Sequence, residues 1–275
     1  MRPDQHAPRR WLQPVVLGLL ALPLFAQAGA WTPKEGASYN KLSVNSFSSD
    51  SFYGTAPQNF DKFTDRNATY YFEYGLRDDV AFYGSVPYKR LTNTDTTGAR
   101  QRNTGVGDID LGLRFRHASG PTVVSTSWLF KAPYAYREND PLALGNGQTD
   151  LEFRVQLGRS LGKAGYLGAE AGLRKRYGAP ADEFRYLLEY GGDIGSRVYA
   201  RTKLDGIQGL GNSDRRAVTP GNPTLNLEFD LAKVELTGGV RVGQSLAVEL
   251  TVTRDVYGNN TLRGTNYGLA LVYAR

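Results

Sequence analysis

The feature that most constrains this chain is an alternation of apolar and polar residues, which recurs in short segments from residue 31 onward. In one such segment Leu111 and Leu113 share the apolar phase, and Asp110 lies in the polar phase. Because successive side chains of a β-strand point to opposite faces, each segment folds as a strand with one uncharged face and one charged face. The connectors between the segments are rich in Gly, Asn, Asp and Pro, which favour turns.

The alternation predicts twelve strands, and the lengths of their connectors are unequal. The strands are 37–47, 67–75, 80–90, 106–116, 122–131, 150–160, 166–176, 184–193, 198–205, 224–241, 246–255 and 266–273. The apolar phase of the tenth strand shifts between Leu231 and Val234, which predicts a β-bulge near Ala232. Long connectors (48–66, 89–105, 132–149, 177–183, 206–223, 256–265) alternate with short ones (76–79, 117–121, 161–165, 194–197, 242–245). An even number of strands with such alternating connectors is typical of outer-membrane barrels.

The predicted fold is therefore all-β: a 12-stranded antiparallel transmembrane β-barrel with short periplasmic turns and long extracellular loops, located in the cell outer membrane. A soluble β-sandwich or a lipocalin-like barrel also alternates, but it turns its apolar face inward. Aromatic residues near the predicted strand ends, such as Tyr74 and Phe115 at one rim and Phe47 and Tyr88 at the other, resemble membrane girdles. They favour a barrel whose uncharged face contacts lipid.

The first thirty residues have the composition of an export signal. Basic residues at Arg2, Arg9 and Arg10 precede an apolar run, and small residues at 26–30 offer cleavage sites. The apolar run is shorter than the roughly 20 residues that a helical membrane span needs. We therefore interpret residues 1–30 as a cleavable signal peptide and residues 31–275 as the barrel. The chain contains no cysteine, so no disulfide stabilises it.

The polar phase of the strands predicts which side chains line the lumen. They are Glu73, Asp108, Asp110, Arg114, Arg116, Glu152, Arg154, Glu170, Arg174, Arg185, Glu189, Arg201, Lys203, Glu228 and Asp230. Selectivity filters built from charge use rings of one sign, so this mixture predicts no strong preference for cations or anions. Twelve strands lie between the filled eight-stranded barrel and the open sixteen-stranded porin, which predicts a narrow passage.

Neither catalysis nor nucleic-acid binding is expected. His117 is the single histidine after residue 30, and it falls in a predicted turn near Ser119 rather than in a dyad. Asp108 and Asp110 would lie about 7 Å apart on one strand face, as glycosidase carboxylates can. Arginines on the same face make structural ion pairs the simpler interpretation. The net charge is +6, and the basic residues do not form a cluster of the kind that favours nucleic-acid binding. No cofactor or metal is predicted.

Several short sequences resemble a group of Gram-negative barrels described as outer-membrane transporters of the phenol-degradation meta-pathway type. These sequences are AWTPKEG at 30–36, GSVPY at 84–88, GVGDIDLGLR at 105–114, GAPAD at 178–182 and TRDVYG at 253–258. The chain is most similar to the XagA-like branch, which is found near surface-polysaccharide genes.

The resemblance implies a channel or export component for small hydrophilic or saccharide-like solutes. The alternative is a non-conducting structural or adhesive barrel whose extracellular loops bind surface polysaccharide or another partner. In either case the expected partners are outer-membrane lipids, lipopolysaccharide and the barrel assembly machinery.

Overall fold

A computed structural model describes residues 29–57, 59–133, 135–137, 140–214 and 222–275. Residues 1–28 of the predicted signal peptide lie outside the described residues. The strands are β1 (Ser38–Tyr53), β2 (Lys62–Arg77), β3 (Val80–Thr94), β4 (Arg100–Val106), β5 (Ile109–Ala118), β6 (Thr122–Ala132), β7 (Thr149–Ser160), β8 (Tyr166–Tyr177), β9 (Glu183–Ile194), β10 (Val198–Gly209), β11 (Asp230–Arg241), β12 (Leu246–Asn259) and β13 (Thr261–Ala274). One short 3₁₀ turn, Gly162–Ala164, joins β7 to β8. Within the described residues, no helix is long and apolar enough to span a bilayer.

The strands close into an antiparallel barrel with twelve strand positions around its circumference, as the alternation predicts. Each of these positions is called here a stave. β1 pairs with both β2 and β13, β2 pairs with β3, and β5 pairs with β6, so strand pairing closes the ring; β4 pairs only with β3, which leaves its other edge without a strand partner among the described residues. β4 and β5 share one stave because both pair with β3, β4 along Tyr88–Thr94 and β5 along Val80–Ser85. The register between β11 and β12 shifts between Ala232 and Lys233, at the position where a bulge was predicted, but the prediction placed it on the wrong strand, because β11 pairs with β10 without a shift there. The extra residue, Val256, belongs to β12.

The barrel turns its uncharged face outward and its charged face inward. Leu250 on β12 is 66% exposed and Leu236 on β11 is 60% exposed. In contrast, Glu249 is fully buried and Glu152 is 2% exposed. A soluble sandwich or lipocalin-like barrel would have the opposite arrangement, so the structure excludes that alternative.

The two ends of the barrel differ. At one end, here called the turn end, the connections are 78–79, 119–121, 161–165, 195–197 and 242–245, and residues 29–37 and Arg275 lie there. At the other, here called the loop end, the connections are 54–61, 95–99, 133–148, 178–182, 210–229 and Asn260.

Several predicted long loops are in fact strand. β1 continues to Tyr53 and β12 to Asn259, so the predicted connector 256–265 shrinks to Asn260, which has a positive φ of 55°. The predicted strand 224–241 begins only at Asp230. Strand pairing needs only backbone hydrogen bonds, so a strand can continue where its outer face carries polar residues and the apolar alternation is lost.

A charge on the outer face should destabilise the barrel according to its depth in the membrane. We expect Leu250→Arg to lower the free energy of unfolding by about 2–4 kcal/mol, because an arginine near the bilayer midplane is costly. Val256→Arg, close to the loop end of β12, is the matched control and should cost about 0–1 kcal/mol. Urea unfolding in phospholipid vesicles measures both values, and equal losses would contradict this placement of the membrane.

Candidate functional site: the lumen

A cavity of about 430 Å³ lies in the middle of the lumen and is called here the central cavity. Its walls come from β1 to β3 and from β5 to β10, and they carry more basic than acidic side chains. The charged residues are Lys41, Glu73, Asp110, Arg114, Glu152, Arg154, Glu170, Arg174, Arg185, Glu189, Arg201 and Lys203; the other side chains come from Tyr39, Tyr71, Tyr83, Ser127, Leu129, Gln156 and Leu187. An interior of this composition attracts water and polar solutes rather than lipid tails.

Glu152 is the centre of one network of buried charges. The register of β7 and β8 sets Glu152 opposite Arg174, whose Nε donates to Glu152 Oε2 at 2.7 Å. Arg154 contacts the other carboxylate oxygen, and Arg185 Nε lies 3.6 Å from Oε2. One carboxylate therefore neutralises parts of three guanidinium groups, which would otherwise repel each other in a space with little water.

Arg201 is the centre of a second network, on strands that adjoin those of the first. Its Nη2 lies 3.6 Å from Glu249 Oε2 and 3.8 Å from Glu235 Oε1. Lys41 Nζ on β1 reaches the same Glu249 oxygen at 2.6 Å, and Lys203 Nζ lies 3.4 Å from Glu189 Oε2. These contacts join β1, β9, β10, β11 and β12 through side chains inside the barrel.

The N-terminal segment, residues 29–36, enters the lumen at the turn end. Trp31 is buried beneath the central cavity, and its ring meets Tyr166 edge to face at a centroid distance of 5.6 Å. Gly158 on β7 has no room for a Cβ because the Trp31 ring lies against it. Arg114 Nη1 donates to the Trp31 carbonyl at 3.0 Å, and Ser125 Oγ donates to the Ala30 carbonyl at 2.5 Å. The segment is therefore packed and hydrogen-bonded as a plug.

In the connection 133–148, the described residues 135–137 and 140–148 fold inward at the loop end. Leu142 and Leu144 join a buried apolar cluster with Phe63, Leu91 and Leu262 from the barrel wall. Asn222 Nδ2, from the connection between β10 and β11, donates to the Ala143 carbonyl at 2.6 Å.

Asp108 anchors the same connection from the break between β4 and β5. Its carboxylate accepts a hydrogen bond from the Tyr136 hydroxyl and lies 3.2 Å from Lys131 Nζ. Burial and the hydrogen bond to Asp108 raise the pKa of the Tyr136 hydroxyl above its ordinary value, so this group stays a donor.

A second cavity, of about 520 Å³, lies towards the loop end and is called here the outer cavity. It shares Leu187 and Lys203 with the central cavity, so these two side chains stand where the two chambers meet. Its other walls combine apolar side chains (Phe47, Ile207, Phe229, Leu231 and Leu262) with amides and charges (Asn45, Asn67, Asp205, Lys233, Glu235, Asp255 and Asn266). Phe47 therefore faces the lumen and does not belong to the membrane girdle in which the sequence pattern placed it.

Most of the predicted lumen residues surround the central cavity, and four lie elsewhere. Asp108 holds the connection 133–148, and Arg116 lies half-buried at the turn end of β5. Glu228 and Asp230 lie at the rim of the loop end: Glu228 accepts from Ser213 Oγ at 2.9 Å, and Asp230 accepts from the Gly209 N–H at 3.0 Å. The prediction that they lie on the lumen wall is wrong: Glu228 precedes β11, and Asp230 alternates with Leu231 and Lys233, which line the outer cavity.

The strand alternation did not predict the two segments that enter the lumen. Residues 29–36 and 133–148 have no strand period, and their contacts are distant in sequence. His117, in contrast, is exposed at the turn end and bonds Thr126 Oγ1 at 2.7 Å.

The chain shares its fold with solved outer-membrane barrels. An outer membrane channel from Pseudomonas putida F1 aligns with a TM-score of 0.74 at 14% identity, covering 91% of this chain and 99% of that one. The NanC porin aligns with a TM-score of 0.54 at 8% identity, covering 84% and 98% of the two chains. The KdgM porin, solved in complex with disordered oligogalacturonate, aligns with a TM-score of 0.52 at 4% identity, covering 85% and 98%. No protein-family model and no curated protein sequence matches the chain.

Removal of the charge at the centre of the first network should destabilise the barrel. We expect Glu152→Gln to lower the free energy of unfolding by about 3 kcal/mol, because it leaves buried guanidinium groups without their carboxylate. Asp79→Asn breaks the exposed pair with Arg77 and should cost at most about 1 kcal/mol. Urea unfolding followed by tryptophan fluorescence compares the two variants. Similar losses of unfolding free energy would show that the buried Glu152 network contributes no more to stability than an exposed ion pair does.

Proposed function

We propose that this chain is an outer-membrane channel that conducts small hydrophilic or saccharide-like solutes through a narrow lumen. The observation that carries the proposal is a pair of adjoining internal cavities, both with charged side chains in their walls, inside a closed barrel whose outer face is uncharged. A stable barrel can be filled completely by side chains, and a barrel that serves only as an anchor needs no internal space.

The side chains that line the outer cavity support saccharide-like compounds as the class of solute. Phe47 and Phe229 offer apolar ring surface, and Asn45, Asn67 and Asn266 offer amide donors and acceptors. A sugar has apolar C–H faces and a rim of hydroxyl groups, so it matches such a combination. The resemblance to barrels near surface-polysaccharide genes and the oligogalacturonate complex of the KdgM porin point to the same class of solute.

The charges of the central cavity set its expected selectivity. Basic residues outnumber acidic ones, but most are paired with a carboxylate at 4 Å or less. Paired charges act mainly as hydrogen-bonding walls, and the described residues form no ring of one sign across the lumen. The channel should therefore prefer anions only slightly.

A second candidate function is a non-conducting structural or adhesive barrel whose loops bind surface polysaccharide or another partner. The observation that favours it is the packing of the N-terminal segment and of the connection 133–148 into opposite ends of the lumen. The two functions differ in whether ions pass through the protein.

Single-channel recording of the refolded protein in planar bilayers tests the proposal. We expect small discrete conductance steps in the wild type and steps about twofold larger for Trp31→Ala, because the narrowest point of a pore limits conduction. Trp128→Ala is the matched control, since Trp128 lies on the outer face and is 47% exposed. Current indistinguishable from a lipid blank in all three proteins would reject the channel and favour the adhesive barrel.

A further inference from the structure

The position of Gly29 concerns the processing of the chain rather than transport. We propose that the chain is cut between Ala28 and Gly29, and that the α-ammonium group created by this cut is bound inside the lumen by Glu170. The proposal assigns a cleavage site and an internal ligand site, and it holds whether or not the barrel conducts.

Gly29 lies in the wall of the central cavity, against two polar side chains. A Cβ at Gly29 would overlap Glu170 Oε1 and would lie 2.8 Å from Gln156 Nε2, so both groups approach the glycine closely. Arg154 Nη1 donates to the other Glu170 oxygen at 3.0 Å, which leaves Oε1 directed at Gly29. Gln156 is 3% exposed, and its Oε1 accepts no hydrogen bond from the described residues. Nε2 is the amide atom nearer to Gly29, and a 180° rotation of the amide exchanges it with the unpartnered Oε1, which then faces a donor at Gly29.

An ammonium group can donate to these two acceptors better than a peptide nitrogen can. A peptide nitrogen offers one N–H, whereas an N-terminal ammonium offers three donors and a positive charge. A carboxylate oxygen and an amide oxygen beside Gly29 can accept two of these three donors, with the amide of Gln156 oriented oxygen-first. Charge-assisted hydrogen bonds of this kind are stronger than neutral ones.

The contacts of Ala30 distinguish between two possible cuts. Ala26-Gln27-Ala28 and Ala28-Gly29-Ala30 both have the small-x-small pattern of a signal-peptide cleavage site. A cut after Ala30 would remove the carbonyl that accepts from Ser125 Oγ, and Ser125 is completely buried. An orphaned buried hydroxyl is costly, so the structure favours the cut after Ala28.

The cut is a hydrolysis that consumes one water molecule. The bond between the Ala28 carbonyl carbon and the Gly29 nitrogen breaks, and a new bond joins that carbon to the water oxygen. Ala28 becomes a carboxylate, the Gly29 nitrogen becomes an ammonium, and no electrons change hands. The exported chain thereby gains the charge that anchors residues 29–36 in the lumen only after processing.

The first test is the mass of the intact protein isolated from membranes of a Gram-negative host that expresses residues 1–275. We expect the mass of a chain that begins at Gly29. A chain that begins at Trp31, or one that keeps residues before Gly29, would overturn the proposed cut.

The second test is the reactivity of the α-amine in the folded protein towards 2-pyridinecarboxaldehyde, which modifies N-terminal amines. We expect Glu170→Gln to be labelled about tenfold faster than the wild type, since hydrogen bonds to charged groups hold the amine in place. Glu35→Gln alters an exposed carboxylate of the same segment and should react like the wild type. Equal rates for Glu170→Gln and the wild type would overturn the role of Glu170.

Two additions keep the second test decisive. Folding of each variant is checked by its heat-dependent migration in gels, and Glu170→Asp serves where Glu170→Gln fails to fold. We expect Glu170→Asp to show an intermediate rate, because its carboxylate is one methylene further from Gly29; a wild-type rate would count against the ion pair. Neither test measures conductance, so failure of the proposed channel leaves both results interpretable.

Discussion

The structure depends on the neutralisation of charges that face the interior of a closed barrel. Ring closure satisfies the backbone hydrogen bonds and allows an uncharged outer face, but it sends every polar-phase side chain into a confined space. Isolated charges there would be very costly, so each basic centre needs a carboxylate close by. Glu152 and Glu249 supply it from two parts of the wall, and both are almost completely buried.

The same constraint explains why the lumen keeps free volume. Arg174 and Arg201 are long side chains held along the wall by their ion pairs, instead of extending freely across the axis. The space that they leave forms two chambers that meet at Leu187 and Lys203. Segments without strand structure then narrow both ends, residues 29–36 at the turn end and 133–148 at the loop end.

The strand alternation was sufficient to predict the fold class, the twelve staves and the outward apolar face; it also predicted a bulge near Ala232, but on β11 instead of β12. These properties depend on side-chain phase, which repeats locally along the chain. The sequence was less informative where no period exists. The polar strand Arg100–Val106 gave no apolar phase, and Glu228 and Asp230 were misplaced because the first precedes β11 and the second alternates with the lumen-facing residues of that strand.

The sequence did not predict the plug at the turn end, and the reason is a different one. Trp31 contacts Gly158 and Tyr166, which lie more than a hundred residues away in the chain. A single aromatic residue just after a predicted signal peptide carries no sign of such a contact. The combination of a large ring and a glycine is recognisable only after the barrel has set the register of β7 and β8.

The most direct test of this account is whether neighbouring residues on β12 face lipid and lumen alternately. The chain has no cysteine, so Leu250→Cys and Thr251→Cys can each carry a single fluorescent label. In vesicles of brominated phospholipid, we expect strong quenching of the label at position 250 and little at position 251. Quenching at position 251 with none at position 250 would contradict the orientation of the barrel wall, and with it the polar lumen.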